Sequence, residues 1–370
     1  MRKCLVFNLA IVCLFFCCES FAKPRIGFGP PTIPFEESDP SEFVNHPELW
    51  PNLAKNSELY LALDGQLISA GNWLKRLDVK KFVEMLKTQN LKLGIEYSLW
   101  GDKECEKMEQ GIYSANRMIY HILDRIYAEG GSVYSLHLDG ADARMMKGQH
   151  RFPEQGLTLE EYTEVILSFF QTVHKKYPDI KIGFIVDPKG WDYDKDSPCF
   201  FNIGSTAKTG IYLDDLLNAV YKKFQEHNEP IGFISLDCPY PYYKYERSYD
   251  HKQDVDCPNA IRRVQEWCKE RNLPLMPIIN TEPKHHKALE ELTPEQIFET
   301  NQRYLDDCLK YIRELHADGI NPEWFLLESW YAVPTKNVPE NEQGTFFHTT
   351  NECIKLINEL YGDKPASTAP

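Results

Sequence analysis

The sequence predicts a single (β/α)8 barrel, and three observations lead to this fold class. Short, nearly continuous apolar runs recur along the 370 residues, and segments with helical periodicity separate them. Such runs are typical of strands that are buried on both faces of a parallel sheet. Counted in order, they give eight strand–helix units, the number that closes a barrel. Chains of this length commonly form such a barrel as one unit.

The predicted elements alternate along the whole chain. The strands span residues 25–28, 58–64, 91–98, 132–139, 180–187, 230–237, 274–280 and 323–329. The helices span residues 41–55, 78–89, 106–129, 158–177, 212–226, 257–271, 294–317 and 347–361. A proline-rich stretch separates the first strand from the first helix.

Several helix ends carry recognisable signals. Thr158 is followed three residues later by Glu161, which is a capping-box pattern. Thr293 is followed by a proline at the first helical position and by Gln296 at the third. Gly319 follows the longest helical segment, where a glycine is a typical stop signal.

The composition argues against some classes of binding partner. The chain has 41 basic and 55 acidic side chains, for a formal net charge of −14. This charge argues against nucleic acid or an anionic membrane as the main partner. The glycine-rich and serine-centred signatures of nucleotide-binding proteins and α/β-hydrolases are missing from the sequence, so we predict no cofactor. The oligomeric state is left open.

Residues 1–22 are predicted to be a signal peptide. Arg2 and Lys3 precede an apolar run over residues 4–18, and Ser20 and Ala22 occupy the small positions before a cleavage site. We expect cleavage after Ala22 and export, with no membrane contact afterwards. Acylation of a signal cysteine is the weaker alternative. The mature chain then comprises a barrel over residues 23–361 and a disordered tail over residues 362–370.

Four of the eleven cysteines lie in the predicted signal, which leaves seven. Cys238, Cys257 and Cys268 are close in sequence, and we predict one disulfide among them in an oxidising compartment. Cys308 and Cys353 are predicted to pack in the core. No zinc-finger spacing is present, so a structural zinc site is not expected.

Six of the predicted strands have an acidic residue at their carboxyl end or within two residues of it. Because the carboxyl ends of the strands in such a barrel face one mouth, these acids are expected to meet there. A second interpretation is that some of them only bind loop amides or cap the next helix. The six acids are Asp64, Asp139, Asp187, Asp237, Glu282 and Glu328, and Glu96 lies near the end of the third strand.

Aromatic residues follow the same strand ends. Trp100, Trp191, Tyr240 and Trp330 each come shortly after a predicted strand. Aromatic faces beside carboxylates suit sugar rings, whose C–H faces stack while their hydroxyls bond to acids. The alternative is that part of these aromatics pack the loops against one another.

This pattern resembles the barrel glycoside hydrolases, in which acids at the ends of strands four and seven commonly do the chemistry. The resemblance implies a secreted glycosidase acting on a carbohydrate, with Asp139 as acid or nucleophile and Glu282 as its counterpart. Asp237 is the alternative partner, as in barrels that use aspartates on strands four and six. Trp330 resembles the tryptophan that floors the sugar subsite. The large retaining group has Asn-Glu where this chain has Leu138 and Asp139.

The remaining acids are given supporting roles by the same resemblance. Asp64, Glu96, Asp187 and Glu328 are predicted to hold sugar hydroxyls or to tune the pKa values of the catalytic pair. Trp100, Trp191 and Tyr240 are predicted to bind substrate with them. The glycosidase interpretation includes no bound metal.

Two further classes of function stay open. A metal-dependent barrel, such as a sugar isomerase or phosphodiesterase, could use carboxylates together with His137. His137 lies two residues before Asp139 on the same strand face, and a histidine bonded within the barrel core is the preferred interpretation. The other class is a sugar-binding barrel without catalysis, which the surplus of acids disfavours.

Overall fold

The computed structural model describes residues 23–31, 42–64, 67, 78–99, 105–139, 156–186, 213–244, 257–281, 292–329 and 333–362. Eight parallel strands close into a barrel in the order of the sequence, which confirms the predicted fold class. The strands are β1 Arg25–Gly29, β2 Leu59–Leu63, β3 Lys92–Ser98, β4 Ser135–Asp139, β5 Lys181–Val186, β6 Ile234–Asp237, β7 Leu275–Ile279 and β8 Trp324–Glu328. The carboxyl end of every strand falls within one residue of its prediction.

Helices cover the outside of the barrel. The longer helices are Val79–Thr88, Gln110–Met118, Leu159–Lys176, Leu213–Glu226, Cys257–Glu270, Pro294–Ala317 and Phe346–Tyr361. The shorter helical segments are Glu42–Asn45, Pro47–Leu49, Pro51–Asn56, Lys107–Glu109, Ile119–Leu123, Asp124–Ala128 and Tyr240–Tyr243. In the part of the chain that the structure describes, no helix is both long and apolar enough to cross a bilayer.

The predicted helix caps are confirmed. The Thr158 hydroxyl accepts from the Glu161 backbone N–H at 3.2 Å, and the Glu161 carboxylate accepts from the Thr158 N–H at 2.7 Å. The same reciprocal pair joins Thr293 and Gln296 at 3.3 and 3.0 Å. Gly319 adopts a φ of +76°, a left-handed conformation that glycine adopts without steric cost.

The first helical segment differs from its prediction. We expected one helix over residues 41–55, but the chain forms Glu42–Asn45 and Pro51–Asn56 with a 3-10 turn, Pro47–Leu49, between them. Each proline takes the first position of its own element, where its missing N–H costs nothing. Trp50 lies between the two prolines with a non-helical φ of −146°.

Two apolar clusters separate the inside of the barrel from its outside. One cluster joins residues of β2, β5, β7 and β8, and strands so far apart can share contacts only through the barrel interior. Its members are Leu59, Leu61, Ile185, Phe233, Met276, Ile278, Trp324 and Leu326. The larger cluster contains the alternate strand residues and the inner faces of the helices. Side chains of successive strand residues therefore alternate between the two clusters.

The N-terminal end of the barrel carries a network of charged and aromatic side chains. Arg25 and Lys92 donate to the Glu58 carboxylate at 2.9 and 3.2 Å. Lys181 donates to the Tyr134 hydroxyl at 3.1 Å. Hydrogen bonding to Arg25, ahead of that to Lys92, lowers the pKa of Glu58.

The predicted disulfide is wrong. Cys257 and Cys268 are both free thiols, so none of the three pairings among Cys238, Cys257 and Cys268 forms. These two residues lie three turns apart on the helix Cys257–Glu270, too far for a disulfide, and both are buried in the outer core. Cys308 and Cys353 are buried in the core as predicted.

Candidate active site

Strand alternation directs three of the predicted acids into the barrel mouth. Their immediate neighbours Leu138, Leu236 and Leu327 belong to the outer cluster. Asp139, Asp237 and Glu328 each follow one of these leucines at the carboxyl end of β4, β6 and β8. The alternating direction of strand side chains therefore turns all three acids toward the barrel axis.

β3 adds two polar residues to the same face. Tyr97 belongs to the outer layer, where its ring stacks on Phe169, so Glu96 and Ser98 point inward. Ser98 is level with Asp139 in the register of the two strands, and its hydroxyl donates to Asp139 Oδ2 at 3.3 Å. This contact fixes the Asp139 carboxylate at the rim of the mouth.

Glu328 is the most deeply buried of these three strand-end acids. Its side chain extends over Gly29, where an added Cβ would lie 3.0 Å from Glu328 Oε1. The residue is 2% exposed, and Glu328 Oε2 has no hydrogen-bond partner among the described residues. Ionising a carboxyl that is buried without a hydrogen-bond partner costs free energy.

The protonation of Glu328 follows from this position. Burial first, and then the negative charge of Asp139, raise the pKa of Glu328 to about 8. Both effects disfavour the ionised form, so the carboxyl holds its proton at neutral pH. β4 and β8 are four strands apart in the eight-stranded barrel, so the two acids face each other across the mouth.

The inward polar residues at the mouth form a set that we call the inner ring: Glu96, Ser98, Asp139, Asp237 and Glu328. Sequence reasoning missed one further member of the inner ring, Asn280. Met276 and Ile278 of β7 belong to the inner cluster, and one further step of two residues places Asn280 on the inner face. Thr281 faces the other way, because its hydroxyl bonds to Asp307 of the surrounding helix at 3.5 Å. The signal was the strand alternation itself, which singles out Asn280 as the inward position at the end of β7.

Asp64 and Tyr240 lie among residues other than those of the inner ring. Asp64 follows β2 at a position level with Tyr97 of the outer layer. Burial, and to a lesser extent the charge of Asp64, raises the pKa of Tyr97. The Tyr240 ring packs beside Tyr311, and its hydroxyl donates to Glu314 at 3.1 Å.

His137 lies in the barrel interior, one inward position below Asp139. It is fully buried between two hydroxyls, with Ser135 Oγ at 3.0 Å and Ser235 Oγ at 3.2 Å from its ring nitrogens. Burial lowers its pKa to about 3, so the ring is neutral. This is the core position that we expected for it. Among the described residues, no three histidine, cysteine or acidic side chains are grouped as metal ligands would be.

Five predicted site residues lie outside the described residues and stay predictions. They are Trp100, Asp187, Trp191, Glu282 and Trp330. The predicted signal peptide and the tail beyond residue 362 also lie outside the described residues.

The sequence matches no protein-family model and no curated protein. The catalytic domain of β-amylase from Paenibacillus polymyxa is similar in structure, with a TM-score of 0.52 and 9% identity over 93% of this chain and 99% of that one. An Ignisphaera aggregans GH53 catalytic domain has a TM-score of 0.48 and 8% identity over 91% of this chain and 96% of that one. The glycoside hydrolase domain of PelA from Pseudomonas aeruginosa has a TM-score of 0.41 and 11% identity over 82% of this chain and 94% of that one.

The likeness to the β-amylase domain confirms the predicted resemblance at the level of the fold. At 9% identity the likeness to the β-amylase domain shows a shared fold alone.

Proposed function

We propose that this protein is a glycoside hydrolase in which Glu328 donates a proton to the leaving oxygen. Asp139 acts from the opposite side of the mouth, as nucleophile or as the base that activates water. The observation that carries this proposal is the buried Glu328 carboxyl, whose pKa is raised to about 8 by burial and by the charge of Asp139.

Glycoside cleavage needs two carboxyl groups in different protonation states. The general acid must hold a proton at the working pH, and the second group must be able to attack or to take a proton. The buried carboxyl of Glu328 meets the first requirement. Asp139, which accepts from Ser98 and lies less deeply, supplies the negative charge that the second requires.

The fold does not by itself support this activity, because barrels of this class host many unrelated reactions. The support comes from the carboxyl pair and from the other polar groups of the inner ring. This proposal changes the role first predicted for Glu328 from substrate binding to acid catalysis. Glu282 and Asp237 remain alternative partners of Asp139, and separate substitutions distinguish the three candidates.

The experiment is a screen of the purified mature protein against a panel of polysaccharides and oligosaccharides. We expect the release of reducing sugar from at least one substrate and no loss of activity on addition of EDTA. Failure to cleave any glycan of the panel would contradict the proposal. Activity that disappears with EDTA and returns with a divalent cation would instead support the metal-dependent class.

We further propose that the protein is exported and acts on carbohydrate outside the cytoplasm. The basic start, apolar run and small residues of segment 1–22 support this proposal. Mass spectrometry of the exported protein should find Lys23 at the amino terminus. Exported protein that retains Met1 would contradict it.

A further inference from the structure

Asn280 is an unusual buried residue at the barrel mouth. Its side chain is 0% exposed, and neither Oδ1 nor Nδ2 has a hydrogen-bond partner among the described residues. Its backbone is well held, since the Asn280 carbonyl accepts from the Tyr240 N–H at 2.9 Å. The backbone is therefore held by the protein, whereas the hydrogen-bonding capacity of the side-chain amide is unused.

Buried polar side chains in folded proteins nearly always have partners. Asn301 shows the usual case in this chain, because its Nδ2 donates to Thr335 Oγ1 at 3.2 Å and its Oδ1 accepts from the Thr335 N–H at 3.3 Å. Leaving both amide atoms of Asn280 unpaired destabilises the folded protein. Such a cost at an inward position points to a ligand that supplies the missing bonds.

The surroundings of Asn280 indicate where that ligand lies. Ile278 and Ile279 pair in register with Leu326 and Leu327, so Asn280 is level with Glu328 on the neighbouring strand. Glu328 Oε2 also has no partner among the described residues. Gly29, on the other side of Glu328, leaves room for that carboxyl. Three unsatisfied polar atoms, two of Asn280 and one of Glu328, thus lie side by side on two adjacent strands at the mouth.

We propose that Asn280 binds the substrate, and that its carboxamide forms hydrogen bonds with two neighbouring hydroxyl groups of the sugar ring next to Glu328. This inference rests on the proposed glycosidase function. An amide presents an acceptor and a donor side by side, which matches a pair of hydroxyls of which one donates and the other accepts. A site of this kind favours sugars with adjacent free hydroxyls over their deoxy analogues.

The test compares Asn280→Leu with Asn301→Leu. Leucine has nearly the shape of asparagine but no polar atom, so each variant removes the amide with little change in volume. Asn280→Leu should unfold at an equal or higher temperature, since it removes two unsatisfied atoms. Asn301→Leu should unfold at a lower temperature, since it breaks two hydrogen bonds.

Binding is measured by saturation-transfer NMR with glucose, galactose, mannose, xylose and their oligosaccharides as probes. Loss of two hydrogen bonds should weaken binding roughly 10- to 100-fold in Asn280→Leu. Asn301→Leu should bind as the wild type does. In the wild type, removing one hydroxyl from the best probe should weaken binding, and Asn280→Leu should no longer distinguish the deoxy probe.

Three results would overturn the inference. The first is an unfolding temperature of Asn280→Leu that falls as far as that of Asn301→Leu, which would make the amide a structural group. The second is unchanged sugar binding by Asn280→Leu. The third is a wild type that binds no probe. Asn280→Ala, measured in parallel, guards against a poor fit of the branched leucine side chain.

The same measurements separate this inference from the proposed function. A wild type that binds sugar through Asn280 but cleaves no glycan would contradict catalysis and support the binding role. A wild type that cleaves glycans, with an Asn280→Leu variant of equal kcat/KM, would support catalysis and contradict the binding role.

Discussion

At the N-terminal end of the barrel, Glu58 accepts from Arg25 and Lys92, and these side chains are partly open to solvent. At the C-terminal end, Glu328 and Asn280 are buried and have polar atoms without described partners. Both ends are built from the ends of the same eight strands. The Glu58 carboxylate is paired by the protein itself, whereas Glu328 Oε2 and the Asn280 amide are not.

This difference separates stability from function within one barrel. Partly exposed ion pairs contribute about 0–1 kcal/mol, because solvent screens them. A buried polar atom without a partner costs roughly 1–3 kcal/mol. Buried polar groups without a partner are few in native structures, and a catalytic role is one reason for them. This contrast supports the proposal that the C-terminal mouth binds a ligand.

The largest effect is expected from removing either carboxyl of the proposed pair. Asp139→Asn and Glu328→Gln are nearly isosteric, so both variants should fold. Each should lower kcat by roughly 10²–10⁴-fold, the contribution of a positioned acid or base. Initial rates on the best substrate of the glycan panel provide the measurement.

Asp237→Asn and Glu282→Gln are the comparison variants for this prediction. A change mainly in KM marks a binding residue, whereas an equal fall in kcat and kcat/KM marks a catalytic one. A Glu328→Gln variant with wild-type kcat would contradict its role as general acid. If Glu282→Gln or Asp237→Asn is inactive instead, the substituted residue of that variant is the general acid.

The next effect is on the pH dependence of stability. The folded-state pKa of Glu328 is raised from 4.5 to about 8, so its stabilising contribution is complete below about 4.5 and is lost as the pH rises through 8. Glu328→Gln stays neutral throughout. Its free energy of unfolding relative to wild type should therefore increase between pH 5 and 9, on the order of a few kcal/mol. Urea unfolding at several pH values measures this, and parallel curves for the two proteins would contradict it.

The smallest effect is expected at the other end of the barrel. Glu58→Gln weakens the bonds to Arg25 and Lys92 and should lower the free energy of unfolding by about 1 kcal/mol or less. The folded-state pKa of Glu58 is lowered, so this difference is present above the ordinary pKa and is lost as the pH falls into the acid range. kcat should not change. A large loss of activity in Glu58→Gln would contradict the division of roles between the two ends.

The sequence predicted the strands well because each is a short apolar run bounded by polar residues. It also placed Asp139, Asp237 and Glu328 at strand ends. It did not show which of these acids has a raised pKa, because that depends on burial and on the distance between strands four places apart. Asn280 was missed because the prediction rested on acidic residues at strand ends, although strand alternation places Asn280 on the inner face. The pairing of Cys257 with Cys268 was wrong because three helical turns separate these two residues, although they are close in sequence.

The ionisation of Glu328 tests the central claim most directly. Its carboxyl resonance, followed by NMR in protein with ¹³C-labelled glutamate and assigned by comparison with Glu328→Gln, reports the pKa of the side chain. We expect a pKa near 8 in the wild type and a lower value in Asp139→Asn, because that variant removes the negative charge across the mouth. A Glu328 pKa near the ordinary 4.5, or one unaffected by Asp139→Asn, would contradict the account.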